Sequence, residues 1–240
     1  MSRIIVFGTS HSVGHGLKDW SIDNMNIPSQ YAWPALIAAE LGIEVENKSS
    51  CGSPIDEIYH NVLNYCITRT DANKDDIIIV QVSSITQRFV LLQDLENAPK
   101  VKRFNIQRPD SLEYQGGKAH KGLELFYGIL TSDEHWTRTW LGYMAGIISL
   151  LKSYNCKFCW FEDSKKNLFS RKWDDISATQ IPVLLNHISN DPQYVGLAFS
   201  TWLNKVAKET LTESGHHNEA GHSKWATEVM VPYLKNHYDL

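Results

Sequence analysis

The chain is poor in the features that mark membrane, secreted and nucleic-acid-binding proteins. It contains no run of about 18 apolar residues, the length that a helix needs to cross a bilayer. Its N-terminus lacks an apolar core followed by small residues, which is typical of a secretory signal. The formal net charge over 240 residues is only −4, so no general attraction to nucleic acid or anionic membrane is expected. These absences predict a cytoplasmic protein with no membrane span and no nucleic-acid partner.

Cysteine is also scarce, with four residues in the whole chain. Cys156 and Cys159 have the spacing of a redox motif, but they lie in the apolar segment CKFCWF, which is typical of a strand. A thioredoxin-type cysteine needs a helix N-terminus to lower its pKa. A zinc site would need two further ligands that the neighbouring sequence does not supply. We therefore expect reduced core thiols, as in a reducing compartment, and no metal or other cofactor.

What the chain does contain is a regular alternation of strand and helix patterns. Its composition, 42% hydrophobic and 21% charged, is ordinary for a globular protein. Apolar runs of strand length occupy residues 3–8, 43–49, 75–84 and 156–163. Helical patterns occupy residues 31–42, 55–68, 135–155 and 218–237. The alternation predicts an α/β protein, a three-layer α/β/α sandwich with a parallel sheet of about five strands.

No internal repeat, low-complexity tract or linker divides the sequence. Residues 1–240 are therefore expected to form a single domain. Residues 94–134 are polar and mixed in charge, and residues 164–200 carry scattered aromatic residues. Long connections of this kind are usually lids, binding segments or small helical insertions. We expect both regions to be insertions in the sandwich.

Small and hydroxylated residues follow three of the predicted strands, at residues 8–10, 47–53 and 83–87. In an open parallel sheet, ligands bind beyond the carboxyl ends of the strands. These segments therefore predict a pocket of backbone N–H groups and hydroxyls, suited to an anion or a developing oxyanion. A nucleotide site is disfavoured, because the lysine of a phosphate loop is missing and the glycines do not match the dinucleotide spacing.

The stretch ESGHHNEAGH, residues 213–222, places an acid beside a histidine. Glu213 lies three residues before His216, just ahead of the closing helix. A carboxylate there can accept a hydrogen bond from one imidazole nitrogen and leave the other free to take a proton from a nucleophile. With Ser10 at the end of the first strand, the pair completes a plausible triad.

The other histidines have simpler interpretations. His217 and His222 are spaced too poorly to share one helical face with His216 as metal ligands, and no zinc-protease pattern surrounds them. We expect His222 to pack within the closing helix. His11 and His15 flank the nucleophile loop and are expected to line the pocket.

Three short blocks resemble those of the SGNH (GDSL-type) esterases. Residues 8–10, Gly-Thr-Ser, resemble the GDS block, with Thr9 in place of its aspartate. Residues 47–52 are similar to the second block, in which an asparagine precedes an oxyanion-hole glycine by five residues. Residues 213–222 resemble the last block, DGxHPNxxGH, with Glu213 in place of its aspartate. The order and spacing of the blocks span nearly the whole chain and imply the flavodoxin-like SGNH hydrolase fold.

The resemblance also implies a role for each matched residue. Ser10 would be the nucleophile, His216 the general base and then acid, and Glu213 its orienting partner. The backbone N–H groups of Ser10 and Gly52 would bind the oxyanion, in a site to which Asn47 also belongs. Well-aimed donors of this kind are each worth about 3–4 kcal/mol of barrier.

One block departs from the family pattern. The GxND block, whose asparagine donates to the oxyanion, has no counterpart after the third predicted strand, which continues as SSITQRF. Ser84, Thr86 or Gln87 could serve as the missing donor, or the hole could use two backbone donors. Losing one good donor typically costs about a hundredfold in rate.

The sequence therefore predicts a serine-dependent esterase that needs no metal. Family substrates include acetylated sugars, lysophospholipids, acyl thioesters and simple lipids. The polar insertions and the aromatic residues favour a small acyl group on a carbohydrate. The alternative is a catalytically degenerate module that binds an acylated or glycan ligand without turnover, which the missing GxND asparagine favours.

Overall fold

The centre of the protein is a five-stranded parallel sheet. The computed structural model describes residues 3–21, 23, 27–70, 74–83, 89–93, 101–105, 133–164 and 180–240. The sheet contains β1 (Ile4–Phe7), β2 (Val45–Asn47), β3 (Ile77–Val82), β6 (Lys157–Glu162) and β7 (Tyr194–Ala198), in the order β2-β1-β3-β6-β7. Each neighbouring pair is parallel. A separate antiparallel pair is formed by β4 (Phe89–Gln93) and β5 (Val101–Asn105).

Eight α-helices accompany these strands in the described part of the chain. They are α1 (Ser10–Val13), α2 (Trp33–Leu41), α3 (Ile55–Thr68), α4 (Asp133–Ser153), α5 (Gln180–Ser189), α6 (Phe199–Val206), α7 (Glu219–Trp225) and α8 (Val231–Tyr238). A 3-10 turn lies at Lys208–Thr210, and a π-helical turn at Ala226–Met230 joins α7 to α8. None of the helices in the described ranges is long and apolar enough to cross a membrane.

Two apolar cores lie on opposite faces of the sheet. Side chains alternate between the faces of a strand, so Ile5 and Phe7 of β1 join α3 and α4, whereas Ile4 and Val6 join the other core with α2, α6 and the closing helices. Every residue of β1 and β3 is buried for this reason. The predicted fold class, a three-layer α/β/α sandwich with five parallel strands, is confirmed.

The sequence patterns missed the edge strand β7. Its segment YVGLA is short, contains Gly196 and is only half-buried, so it lacks the continuous apolar run of a central strand. Residues 180–198 of the second predicted insertion are therefore α5 and β7 of the sandwich itself. In the first predicted insertion, the described residues are those of β5 and the start of α4.

The four cysteines are free thiols. Cys66 and Cys159 are buried as expected, whereas Cys51 and Cys156 are partly exposed. Cys156 and Cys159 do not form a redox pair: Cys159 belongs to the core beneath α2, and Cys156 packs against the opposite core, next to Cys66.

Candidate active site

The nucleophile predicted from the first block lies within hydrogen-bonding distance of the predicted base. Ser10 is the first residue of α1, directly after β1, and His216 precedes α7. The Oγ of Ser10 is 3.0 Å from the Nε2 of His216, and both side chains are half-buried. The fold thus joins two residues that are 206 positions apart, because α1 and the loop before α7 meet at the carboxyl edge of the sheet.

The turn that presents Ser10 is fixed by glycines on either side of it. A Cβ at Gly8 would collide with Ser12 and Gln81, so only glycine allows β1 to pass this closely. Gly14 ends α1 in the left-handed region (φ 87°), with its N–H bonded to the carbonyl oxygen of Ser10 at 2.9 Å. The N–H groups of the first helical turn have no intrahelical acceptor, so the N–H of Ser10 can face a ligand.

The loop after β2 is tied to this turn through Asn47. The Nδ2 of Asn47 donates to the carbonyl oxygen of Ser12 at 2.7 Å, and its Oδ1 accepts from the N–H of Ser49 at 3.1 Å. These bonds engage the side-chain amide with the protein backbone, so Asn47 positions the loop. Gly52 follows in the same loop with φ 73°, a conformation that favours glycine.

Glu213 is not joined to His216 in the described part of the chain. Its side chain is exposed, whereas the Nδ1 of His216 lies 3.3 Å from the carbonyl oxygen of Ser214. A tight turn produces this arrangement: the N–H of Gly215 bonds to the carbonyl oxygen of Thr212, with Gly215 in the left-handed region (φ 80°). The carbonyl oxygen of Ser214 therefore lies beside the Nδ1 of His216, where the sequence predicted the carboxylate of Glu213.

The substitutes for the missing asparagine lie outside the described residues. This applies to Ser84, Thr86 and Gln87. Ser83 is described and buried, and its carbonyl oxygen accepts a hydrogen bond from the Nε1 of Trp140 at 2.9 Å.

A polar network under Ser10 and His216 was missed by the sequence analysis. The Oδ1 of Asp163 accepts from the Oγ of Ser200 at 3.1 Å and from the Nε2 of Gln81 at 3.3 Å, and it lies 3.4 Å from the Nε2 of His11. The Oγ of Ser12 donates to the Oε1 of Gln81. One feature of the sequence could have indicated this network: Asp163 is an acidic residue directly after the buried strand β6, at the edge of the sheet where ligands bind.

The electrostatics of the site keep its histidines neutral. Burial, together with His11 and His15, lowers the pKa of His216 to about 3, although the Ser214 carbonyl and Asp163 oppose this shift. Burial likewise lowers the pKa of His11 to about 3. Burial raises the pKa of Asp163 to about 6, against the hydrogen bond from Ser200. His216 is therefore an unprotonated acceptor at neutral pH.

The remaining histidines surround this centre. The Nδ1 of His15 lies 3.3 Å from both ring nitrogens of His216, and its ring packs edge-on against Trp20. His222 is fully buried and its Nδ1 accepts from the N–H of Trp33, which fits the packing role predicted for it. His11 is also buried, with 6% exposure, so it lies beneath the pocket where a lining position was expected.

Comparisons with known proteins place the fold. No protein-family model and no curated protein matches the chain. An acetyl xylan esterase from Butyrivibrio proteoclasticus is similar in structure, with 14% identity, coverage of 98% of this chain and 64% of that chain, and a TM-score of 0.52. The esterase EstA from a Pseudoalteromonas species has 9% identity, coverage of 98% and 100%, and a TM-score of 0.51. A member of the lipolytic G-D-S-L family from Veillonella parvula has 11% identity, coverage of 100% and 99%, and a TM-score of 0.48.

At these identities the similarity establishes the fold. The chain has the α/β/α fold of the acetyl xylan esterase and of the esterase EstA, in keeping with the fold that the three sequence blocks predicted.

Proposed function

We propose that the protein is a serine esterase that hydrolyses a carboxylic ester through an acyl-enzyme on Ser10. The observation that carries this proposal is the 3.0 Å separation of the Ser10 Oγ and the His216 Nε2 at the carboxyl edge of the sheet. A hydroxyl hydrogen-bonded to a neutral imidazole is an activated nucleophile. Two of the structures that share the fold are esterases, which supports ester hydrolysis as the reaction class.

The reaction would proceed in two half-reactions. His216 takes the proton of Ser10 through Nε2 while the Oγ bonds to the carbonyl carbon, and the N–H groups of Ser10 and Gly52 stabilise the oxyanion. The imidazolium then protonates the leaving alcohol, and an ester of Ser10 remains. Water repeats the sequence, with His216 as the base, and releases the carboxylic acid.

The partner of the His216 Nδ1 is the point on which sequence and geometry differ. The resemblance assigns this role to Glu213, whereas the exposed position of Glu213 and the 3.3 Å contact with Ser214 favour the backbone carbonyl. A carbonyl can accept a hydrogen bond from the Nδ1–H group and so fix the tautomer that leaves Nε2 free to accept the proton of Ser10. A Ser10–His216 dyad supported by this carbonyl is the version that we propose.

The proposed substrate is a short-chain ester of a carbohydrate. The ring of Trp20 packs against His15, which in turn contacts His216, so an aromatic surface lies beside the reacting groups. Aromatic faces of this kind suit the apolar faces of sugar rings. The acetyl xylan esterase that shares the fold supports the same substrate class. Trp140 and Trp160 are buried and belong to the core.

Hydrolysis of 4-nitrophenyl acetate tests this proposal with three variants. Ser10→Ala should lower kcat by about 10³-fold or more, because the acyl-enzyme cannot form. Glu213→Gln should change kcat by less than about threefold, whereas loss of a true orienting carboxylate costs about 10⁴-fold. Ser223→Ala, which removes an exposed hydroxyl on α7, is the matched control and should retain full activity.

The second candidate is a module that binds an acylated or glycan ligand without turnover. The lack of an asparagine after β3 favours it, since a third oxyanion donor is missing from its usual place in the sequence. A folded wild-type protein that shows no hydrolysis above the Ser10→Ala background, but binds acetylated xylo-oligosaccharides, would establish the second candidate and reject the first.

A further inference from the structure

We infer that Asp163, acting through the ring of His11, is a positioning residue for His216 and stabilises the protonated form of that imidazole. The inference rests on the proposed esterase function, because His216 must gain a proton when Ser10 attacks the ester. It assigns a role to a carboxylate and an imidazole that none of the three sequence blocks contains.

The first observation is the placement of the carboxylate. Asp163 follows β6 at the same edge of the sheet as Ser10, and its backbone is held on both sides. Its N–H donates to the carbonyl oxygen of Val82 at 3.1 Å, and its own carbonyl oxygen accepts from the N–H of Ser200 at 2.8 Å. The side chain is 17% exposed, so the charge lies largely inside the protein.

The second observation is the path from this carboxylate to His216. The Nε2 of His11 lies 3.4 Å from the Asp163 Oδ1, and the rings of His11 and His216 are 4.7 Å apart between centroids. The ring of Phe199 packs on His11 at 4.9 Å and limits its movement. The His11 ring is thus held between the carboxylate and the catalytic imidazole.

The third observation is that burying the Asp163 carboxylate costs free energy of folding, which favours a functional role for it. Among the residues that the structure describes, the contacts of Asp163 are neutral side chains, and a largely buried carboxylate in such surroundings is destabilising because the charged form loses its hydration. A polar network in this position must be nearly fully satisfied to be tolerated. An apolar residue after β6 would avoid the cost, whereas a carboxylate here becomes useful when a positive charge forms on His216.

The groups that face Asp163 set its titration. Within the described ranges they are His11 from α1, Gln81 from β3, Ser200 from α6, and His216 and His217 from the loop before α7. Glu162, its neighbour on β6, accepts a hydrogen bond from the Tyr194 hydroxyl. Burial raises the pKa of Asp163 to about 6, so the carboxyl becomes charged as the pH rises through 6. Burial keeps His11 and His216 neutral there.

The Asp163→Asn variant tests the inference, since asparagine keeps the shape and the acceptor for Ser200 but removes the charge. We expect kcat/KM for 4-nitrophenyl acetate to fall by about tenfold or more at pH 8, and by much less at pH 5, where the wild-type carboxyl is protonated. The wild-type pH profile should rise near pH 6 and the variant profile should lose this rise. A loss of the same factor at every pH, or no loss, would overturn the inference.

Two controls separate this role from a structural one. Glu162→Gln neutralises the adjacent carboxylate and should leave the rise near pH 6 in place. If Asp163 acts through His11, then Asp163→Asn should have a much smaller effect in a His11→Gln background than in the wild type. Additive losses in this double-mutant cycle would contradict a path through His11.

A readout that does not need activity distinguishes this inference from the proposed function. Imidazole nitrogen resonances of His11 and His216 should report a titration near pH 6 in the wild type and lose it in Asp163→Asn. If these signals behave so but Ser10 proves inert, the esterase function fails while the coupling is established. If Ser10 is active and the signals do not respond to Asp163, the coupling fails alone.

Discussion

At the scale of single residues, the environment of each titratable side chain decides what it can do. Burial removes the charge from the histidines near Ser10, which makes them proton acceptors at neutral pH. The guanidinium of Arg69 instead favours the charged form of a side chain, the thiol of Cys156 at the start of β6. The Nη1 of Arg69 donates to the Sγ of Cys156 at 2.9 Å, just before β6 begins.

This contact predicts that Cys156 is the most reactive of the four cysteines. A hydrogen bond from the Cys66 thiol, together with Arg69, lowers the pKa of Cys156 to about 7, whereas burial raises that of Cys51. At pH 7.5, iodoacetamide should therefore modify Cys156 first, as mass spectrometry of tryptic peptides will show. Arg69→Gln should slow this modification about tenfold.

Cys51 serves as the internal control for this prediction, because it is also partly exposed but its pKa is raised by burial. Equal rates for Cys51 and Cys156, or no effect of Arg69→Gln, would show that exposure alone controls the reaction.

At the scale of elements, two helical glycines differ in the space around them. Gly221 allows α7 to approach the loop that carries His216, since a Cβ there would lie 2.8 Å from both the His217 Cβ and the Thr210 Oγ1. Gly142 lies in the middle of α4, where an added Cβ would have no atom of the described residues within 4 Å.

The two glycines should therefore respond to alanine in opposite directions. Gly221→Ala should reduce the free energy of unfolding by about 1–3 kcal/mol through overpacking. Gly142→Ala should raise it by about 0.5–1 kcal/mol, because alanine is the better helix former. Urea unfolding of the two variants measures both values, and the same sign in both would contradict the packing assigned to α7.

The elements also show what sequence patterns can and cannot provide. β1, β3 and β6 are apolar runs buried on both faces, and such strands can be recognised from the chain alone. β7 is an edge strand with Gly196 in the middle, so its burial comes from tertiary contacts that no local pattern encodes. The same holds for the π-helical turn inside the closing helix, which was predicted as one continuous helix.

At the scale of the whole molecule, the site is a meeting point of distant segments. The sequence blocks predicted Ser10, Gly52 and His216 as site residues because each lies in a local motif. Asp163 could not be identified in this way, since its partners His11 and Ser200 come from other segments and their contacts depend on the finished sheet. The exposed position of Glu213 likewise depends on the turn at Gly215, not on its spacing from His216.

The histidine cluster predicts how the stability of the whole protein depends on pH. The pKa values of five histidines are lowered, mainly by burial: His11, His15, His216, His217 and His222. An unfolded chain binds protons at these residues below about pH 6.5, whereas the folded chain does not. Stability is therefore fully present above pH 6.5 and is lost as the pH falls.

Asp163 works in the opposite direction, since its raised pKa adds stability below its unfolded value of about 3.9, which is lost as the pH rises to about 6. Because five histidines oppose this one carboxyl group, their effect on the free energy of unfolding should dominate. We expect the free energy of unfolding, measured with urea, to fall between pH 6.5 and 5. Each fully buried histidine contributes about 1.4 kcal/mol per pH unit at most. His222→Gln should reduce the slope, and a profile that rises on acidification would contradict the burial of the cluster.

The central claim is that Ser10 is an activated nucleophile, and the most direct test is covalent labelling with a fluorophosphonate probe. We predict one adduct per chain, mapped by mass spectrometry to the Ser10 peptide, and none in Ser10→Ala or after removal of the imidazole in His216→Ala. A folded wild-type protein that stays unlabelled, or carries its adduct on another residue, would contradict the account.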